Sequence, residues 1–360
     1  MLNEEDFNTL RLIRSDGVGS MTFQKLITFF QSATATIKNI DLFKNRKPII
    51  LAKQEDIEIE VEECKKFGAE ILTYLNPKYP KSLKLISDFP PIINVIGNSD
   101  LLDKKNIAII GARNASANGC NFARKISKEI GSNGYIITSG MATGIDTSAH
   151  WGAIESGTIA VLGGGIDNIY PKDNEDLYRK IRDNGCIVSE IPIHSPPKSE
   201  NFPARNRIIT GISLGVVVVE AAYKSGTINT VRLAAEQGKE IMVCPGNPYD
   251  PRCDGSNALI KDGAMVVLNS DDVLYNVNND YKPPQNKENE IINDEEDIAI
   301  ETDVNDIEKL LLDKLNYTPI AIEVLARDIN VDVGVLNSHI TDLELNGDIV
   351  IEFGKIRRKN

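Results

Sequence analysis

The stretch NIAIIGARNASANGCNFARKISKEIGSNGYIITSG (106–140) holds the fold in miniature. It opens on an unbroken apolar run, NIAIIGA (106–112). Small and polar residues follow, then NFARKISKEIGSNG (121–134), which has apolar side chains at helical spacing, then a second apolar run, YIITSG (135–140). A strand with one wet face alternates apolar and polar residues. A continuous β-branched run belongs to a strand covered on both faces, as in parallel sheets. Gly134 supplies the helix stop. The stretch therefore reads as strand, helix, strand: one βαβ unit.

Working outward, the unit repeats. Apolar runs recur at TIAVLGGGI (158–166), CIVSEI (186–191), LGVVVVEAA (214–222), EIMVCPG (240–246) and MVVLN (265–269), and TINTVRLAAEQG (227–238) is another helix ended by a glycine. Alternating strands and helices predict an α/β fold, a Rossmann-like, doubly wound, mostly parallel sheet over 106–275. Ligands of such sheets sit at the carboxyl ends of the strands, where loops enter helix N-termini.

The flanks read differently. Residues 1–105 are expected to form an N-terminal helical domain with a connecting segment. FNTLRLIRSDGVGSMTFQKLITFF (7–30) puts a Gly-Val-Gly turn between two amphipathic helices. That is either a helix-hairpin-helix (SAM-like), whose turn amides bind phosphate, or an ordinary αα-hairpin. The segment 276–304 is acidic, polar and Pro-containing, and reads as a disordered linker. Residues 305–360 give three helices and a short strand pair, the order of a winged helix. Its third helix carries no Lys or Arg, so a protein-contact role stands beside DNA binding; the closing KIRRKN is a wing tip or a solvated tail.

The chain has 360 residues and a net charge of −12. Residues 278–306 alone hold two lysines against ten acids, whereas 106–270 holds sixteen of each sign. The low pI therefore belongs to one segment and does not exclude a local cationic groove, because charges beyond about 8 Å are screened at physiological salt. The five cysteines form no CxxC pair, which fits a reducing cytoplasm better than a disulfide framework or a zinc site. No apolar run approaches the ~20 residues of a membrane span.

Dinucleotide chemistry fails on pattern. The first strand leads into GARNAS (111–116), with one glycine where GxGxxG needs three, and the second ends in Ser139-Gly140 without the ribose-binding acid. There is no P-loop, HExxH or GxSxG, so no cofactor, metal or catalytic residue is expected. The strand ends offer small residues and cations instead: Arg113, the turn through Ser139, Gly140 and Gly144, the turn at Gly163 and Gly164, and Ser225-Gly226-Thr227. Bare amides at such turns approach anions closely, and arginine forks suit phosphate oxygens. The glycines also suit plain tight packing. FPARNRIITG (202–211) adds Phe202, Arg205, Asn206 and Arg207. Phe202 is a base-stacking ring or a core plug. The two arginines lack a neighbouring acid, so their counter-charge is expected outside the chain, with Arg205 on the ligand and Arg207 anchoring the turn or a second phosphate. Asp146 and Glu220 are read as loop-orienting acids, Asp146 by capping or by holding an arginine, and His150 as a packed helix residue.

IIGAR (109–113), SGMATGIDTSAH (139–150), GGGIDNIYP (163–171), FPARNRIITG (202–211), VVEAAYKSGTINT (218–230) and GSNALIKDGA (255–264), in this order, resemble the bacterial DNA-processing protein DprA (Smf) family. The resemblance spans about 1–275, with a winged-helix (DML1-like) end. It implies a non-catalytic protein that binds single-stranded DNA without sequence preference and loads the recombinase RecA in natural transformation, displacing single-strand-binding protein. It places the DNA pocket on Arg113, Ser139, Gly140, Gly144, Phe202, Arg205, Asn206 and Arg207, and a homodimer helix at Leu259 and Ile260. The rival is a LOG-like nucleotide phosphoribohydrolase with Glu220 and Arg205 as its pair, though the PGG stretch of that family is absent.

Overall fold

The computed structural model describes residues 2–43, 48–278, 280–281, 304–315, 319–329, 331–352 and 354–359. Most of the expected 276–304 linker lies outside them.

The chain starts with four helices, α1 (Glu4–Ile13), α2 (Ser20–Phe30), α3 (Ala33–Lys38) and α4 (Gln54–Phe67). The Asn3 side chain caps α1 by accepting from the Asp6 amide, and Glu4, Glu5 and Asp6 complement the positive end of the helix. The α1–α2 turn passes through Gly17 at φ 81°. Its Asp16 amide and carbonyl are both paired with Ile50. Leu12, Phe23, Leu26 and Ala33 form the small core of this layer. Leu10, Ile57 and Cys64 face the other way and pack under the sheet with Ile92, Ile96 and Ile187.

The strands β1 (Glu70–Thr73), β2 (Ile92–Gly97), β3 (Asn106–Gly111), β4 (Ile136–Ser139), β5 (Thr158–Val161), β6 (Cys186–Ser189), β7 (Gly215–Val219), β8 (Glu240–Val243) and β9 (Met265–Val266) form one sheet in the order β1-β2-β6-β5-β4-β3-β7-β8-β9. From β6 to β9 every neighbour is parallel; β1 and β2 run antiparallel at one edge. All seven strands expected from the sequence are present. The sheet begins earlier than 106, however, because the segment expected to connect the helical domain to it supplies two further strands, β1 and β2, which hydrogen-bond into it.

Helices α5 (Ala117–Ser132), α6 (Ile145–Gly152), α7 (Glu175–Asn184), α8 (Asn201–Ile212), α9 (Gly226–Glu236), α10 (Asp254–Lys261) and α11 (Ser270–Val277) cover both faces. Alternation along β3 shows it: Ile107 and Ile109 pack with Cys120, Ala123 and Ile126 of α5, whereas Ala108 and Ile110 share a core with Ile208, Ile209 and Val231 of α8 and α9. Strands β3 to β6 wind one way and β7 to β9 the other, so the switch point lies between β3 and β7. There the two strands meet so closely that a Cβ on Gly111 would fall 1.8 Å from the Val219 carbonyl oxygen.

After the acidic segment come α12 (Val304–Lys314), β10 (Ile320–Ala321), α13 (Ile322–Ile329), α14 (Val333–Asn346), β11 (Ile349–Glu352) and β12 (Lys355–Arg358), a three-stranded winged helix. Its core includes Leu311, Leu325, Leu336, Ile340 and Ile356, together with Ala117 from the start of α5. Arg252 donates to the carbonyls of Asp313 and Leu315 at 2.8 and 3.0 Å, tying the unit to the sheet.

Candidate nucleic-acid interface

The switch point opens between the loops that follow β3 and β7. Arg113, two residues past the end of β3, is exposed, and among the described residues no carboxylate pairs with it. Its neighbour is the Phe202 ring, with the guanidinium carbon 5.7 Å from the ring centroid. The α9 N-terminus lies at the same rim, because Thr227 Oγ1 donates to the Gly111 carbonyl at 3.0 Å. Gly226 is exposed there, and the Ser225 hydroxyl, buried, has no hydrogen-bond partner among the described residues. Cation, aromatic ring and helix start are thus brought together as the sequence suggested.

The other two arginines are not aimed outward, which corrects the expectation of an external counter-charge. Arg205 is 5% exposed. It donates to the carbonyls of Gly140 (2.7 Å) and Val161 and to Asn206 Oδ1 (3.1 Å). The Asp146 carboxylate lies on the same side of Gly140 as the Arg205 guanidinium and accepts the Gly140 amide at 3.1 Å and the Ala142 amide at 3.3 Å. Burial raises the Asp146 carboxyl above its usual range, and burial lowers the Arg205 guanidinium to about 10, which leaves it cationic at neutral pH. Asn206 spends its amide on Thr230 Oγ1 at 2.7 Å. Arg207 makes a two-pronged pair with Glu190 at 2.6 and 2.5 Å and donates to the Asp88 carbonyl at 2.9 Å. It also reaches Ser20 Oγ of α2 at 3.3 Å, so it anchors the helical layer to the sheet. Physically, each cation takes counter-charge from a loop distant in sequence.

The glycine and serine turns sort in the same way. The Ser139 hydroxyl is buried and donates to the Ile109 carbonyl. Gly144, at φ 81°, is a necessity of close approach: a Cβ there would lie 2.4 Å from the Ala112 carbonyl oxygen. Gly163 and Gly164, expected as phosphate-binding turns, are buried packing glycines instead. A Cβ on Gly163 would strike the Phe202 ring at 2.9 Å, and one on Gly164 would meet Pro197 at 3.1 Å. Left-handed backbone at Met141, His194 and Glu220 marks the loops after β4, β6 and β7.

Glu220 lies on the loop after β7 and is buried. Its carboxylate accepts the Ser116 amide at 2.8 Å and the Ser116 hydroxyl, at the N-terminus of α5. That is where a dinucleotide fold holds its pyrophosphate, so the chain's own anion fills the place. Glu220 and Arg205, the pair of the rival hydrolase reading, hold separate partners: Glu220 those at the start of α5, Arg205 the loops after β4 and β5. His150 is buried and held neutral, burial lowering it to about 3, with Nδ1 2.7 Å from Thr158 Oγ1.

Sequence reasoning missed Tyr170, whose ring centroid lies 5.4 Å from that of Phe202. The available signal was an aromatic closing the GGGIDNIYP loop. It also missed a group able to hold a cation: Glu308, His339 and Asp342 offer ligand atoms within 4.8 Å of one another on the winged helix. Leu259 and Ile260, expected at a dimer interface, are partly buried against the sheet core. The outward apolar residues at that edge are Met265 and Val266 of β9 and nearby Leu268, beside a cavity of about 320 Å³ lined also by Asp271, Asp272 and Tyr275. Among the described residues no helix is long and apolar enough to cross a membrane.

A doubly wound sheet with a cation-bearing switch point, flanked by a hairpin helix layer and a winged helix, defines a class of DNA-handling proteins, and known proteins narrow it. The chain belongs to the DNA recombination-mediator protein A family, whose profile matches residues 70–278. A DprA-like N-terminal HHH domain matches 3–62 and the DprA winged helix domain matches 298–355. The DNA processing protein DprA of Bacillus subtilis is 35% identical over 252 residues, 69% of this chain and 82% of that one. The crystal structure of DprA from Streptococcus pneumoniae superposes with a TM-score of 0.63 at 30% identity, covering 76% of this chain and 97% of that one. The Helicobacter pylori protein, described for its single-stranded DNA binding mode, gives 0.55 at 30% identity, covering 59% and 97%.

Proposed function

We propose that the protein binds single-stranded DNA along the rim at the β3–β7 switch point and acts as a recombination mediator. The observation that carries the reading is Arg113: an exposed guanidinium with no carboxylate partner among the described residues, braced by Phe202 and set beside the α9 N-terminus. A backbone phosphate satisfies the guanidinium and the helix start at once. Arg113 and the Ser225–Thr227 turn make the contact, and Phe202 braces Arg113. Arg205, Arg207, Asn206, Ser139, Gly140 and Gly144 hold the loops in place. Readout of phosphate and stacked base carries no sequence preference. The kinship with DprA proteins supports delivery of the strand to the recombinase RecA, with exchange against single-strand-binding protein. It also supports a homodimer, for which the exposed β9 edge is the available surface. The five cysteines are all free thiols, which fits the reducing cytoplasm.

The test is fluorescence anisotropy with a labelled oligonucleotide, single- and double-stranded, at two salt concentrations. Single strands should bind more tightly, affinity should fall with salt as counterions are released, and Arg113→Ala should abolish most of it. Unchanged affinity in Arg113→Ala would remove the site.

A further inference from the structure

The search for an open stacking surface leads away from Phe202. That ring is partly buried, seated on Gly163, with Arg113 on it and the Tyr170 ring against it at 5.4 Å and 46°. The more open ring of the two is Tyr170, half of whose surface is exposed. Other tyrosines show what a structural role looks like here. Tyr79 and Tyr178 are buried and donate their hydroxyls to the carbonyls of Pro90 and Ile166. Tyr170 makes no hydrogen bond among the described residues. Tyr223 and Tyr249, at 69% and 79% exposure, are open but unbraced, with no ring contact among the described residues. Tyr170 alone of these combines an open surface with a ring holding it in place, so little rotamer freedom is lost when a ligand ring lands on it.

Resting on the single-strand reading above, we propose that Tyr170 is a base-stacking residue: an unpaired nucleobase packs on its ring while Arg113 holds a phosphate of the same strand. Phe202 then acts as the positioning ring between them. The arrangement selects single strands, because a base in a duplex keeps both faces covered by its neighbours and cannot lie on a protein ring.

The experiment compares a labelled oligo(dT) with an abasic oligonucleotide of equal length. Tyr170→Leu should weaken oligo(dT) binding by about 5- to 150-fold, the equivalent of ~1–3 kcal/mol for one stacked base. Its binding of the abasic strand should match the wild type, and Tyr170→Phe should behave as wild type on both. Arg113→Ala should weaken both, because it reads phosphate. Unfolding midpoints equal to wild type exclude a folding defect in the half-exposed variant. Two results overturn the proposal: Tyr170→Leu binding oligo(dT) like wild type while Arg113→Ala does not, or Tyr170→Leu losing equally on both strands. A wild-type chain that binds neither oligonucleotide overturns the single-strand reading itself, and this one with it.

Discussion

Removing the Arg207 side chain should loosen the helical layer from the sheet at a measurable cost. The side chain is 8% exposed and its partner Glu190 is 17% exposed, with two N–O contacts of 2.6 and 2.5 Å between them. Arg207 also donates to the carbonyls of Asp88 (2.9 Å) and Ala204 (2.8 Å). Arg207→Ala strands the Glu190 carboxylate and leaves both carbonyls short of a donor. Breaking one side of such a pair costs about 3–5 kcal/mol. Removing both charges should cost less than the sum, since the stranded carboxylate is gone; Arg207→Met with Glu190→Leu is therefore expected to recover about half of the loss. The single tryptophan, Trp151, packs against the cluster that joins α1 and α4 to the sheet, so its fluorescence reports this junction. Guanidinium unfolding followed by Trp151 emission and by far-UV circular dichroism gives both the energy and a check of two-state behaviour. A loss below about 1 kcal/mol in Arg207→Ala would refute the anchoring role, because that is the scale of an exposed ion pair.

Other outcomes follow from the same geometry. His194 lies 2.6 Å from Asp167 and 3.5 Å from Glu63 of α4, which in turn pairs with Lys66. The hydrogen bond to Asp167 raises its pKa. Charged His194 therefore stabilises the fold fully below the unfolded value of 6.5, and the contribution disappears as pH rises through the higher folded value. Urea midpoints of wild type and His194→Gln should differ more at pH 6 than at pH 9; equal differences would sink the claim. Gly144→Ala should destabilise by about 1–3 kcal/mol through strain at positive φ and the Ala112 carbonyl, read by thermal unfolding. Glu220→Gln should lower stability by about 1–3 kcal/mol, since the α5 N-terminus loses its anion and a charge-assisted bond, measured by urea unfolding.

Strands β3 to β7 were legible because strands covered on both faces are apolar along nearly their whole length, and that signal is local; β8 and the exposed β9 carry the same kind of apolar run at the sheet edge. β1 and β2 were not, because IINV sits behind two prolines and its pairing with β6 depends on residues far along the chain. The candidate site divides on the same line. Arg113 was readable as a strand-end cation, and Asp146 as a capping acid beside an arginine. The fates of Arg205 and Arg207 were not readable, since Glu190 is 17 positions from Arg207 and the Asp88 carbonyl 119. Which guanidinium is spoken for is a property of the folded loops. Tyr170 was quoted in a motif but carried no meaning until Phe202 was placed against it.

Glu220 has a last consequence. A helix start that waits for a metabolite is only as stable as that metabolite is plentiful; tethering the anion to the polypeptide makes its occupancy constant. The sheet then keeps its inner socket permanently plugged, and whatever occupies the outer lip can come and go without disturbing the fold beneath it.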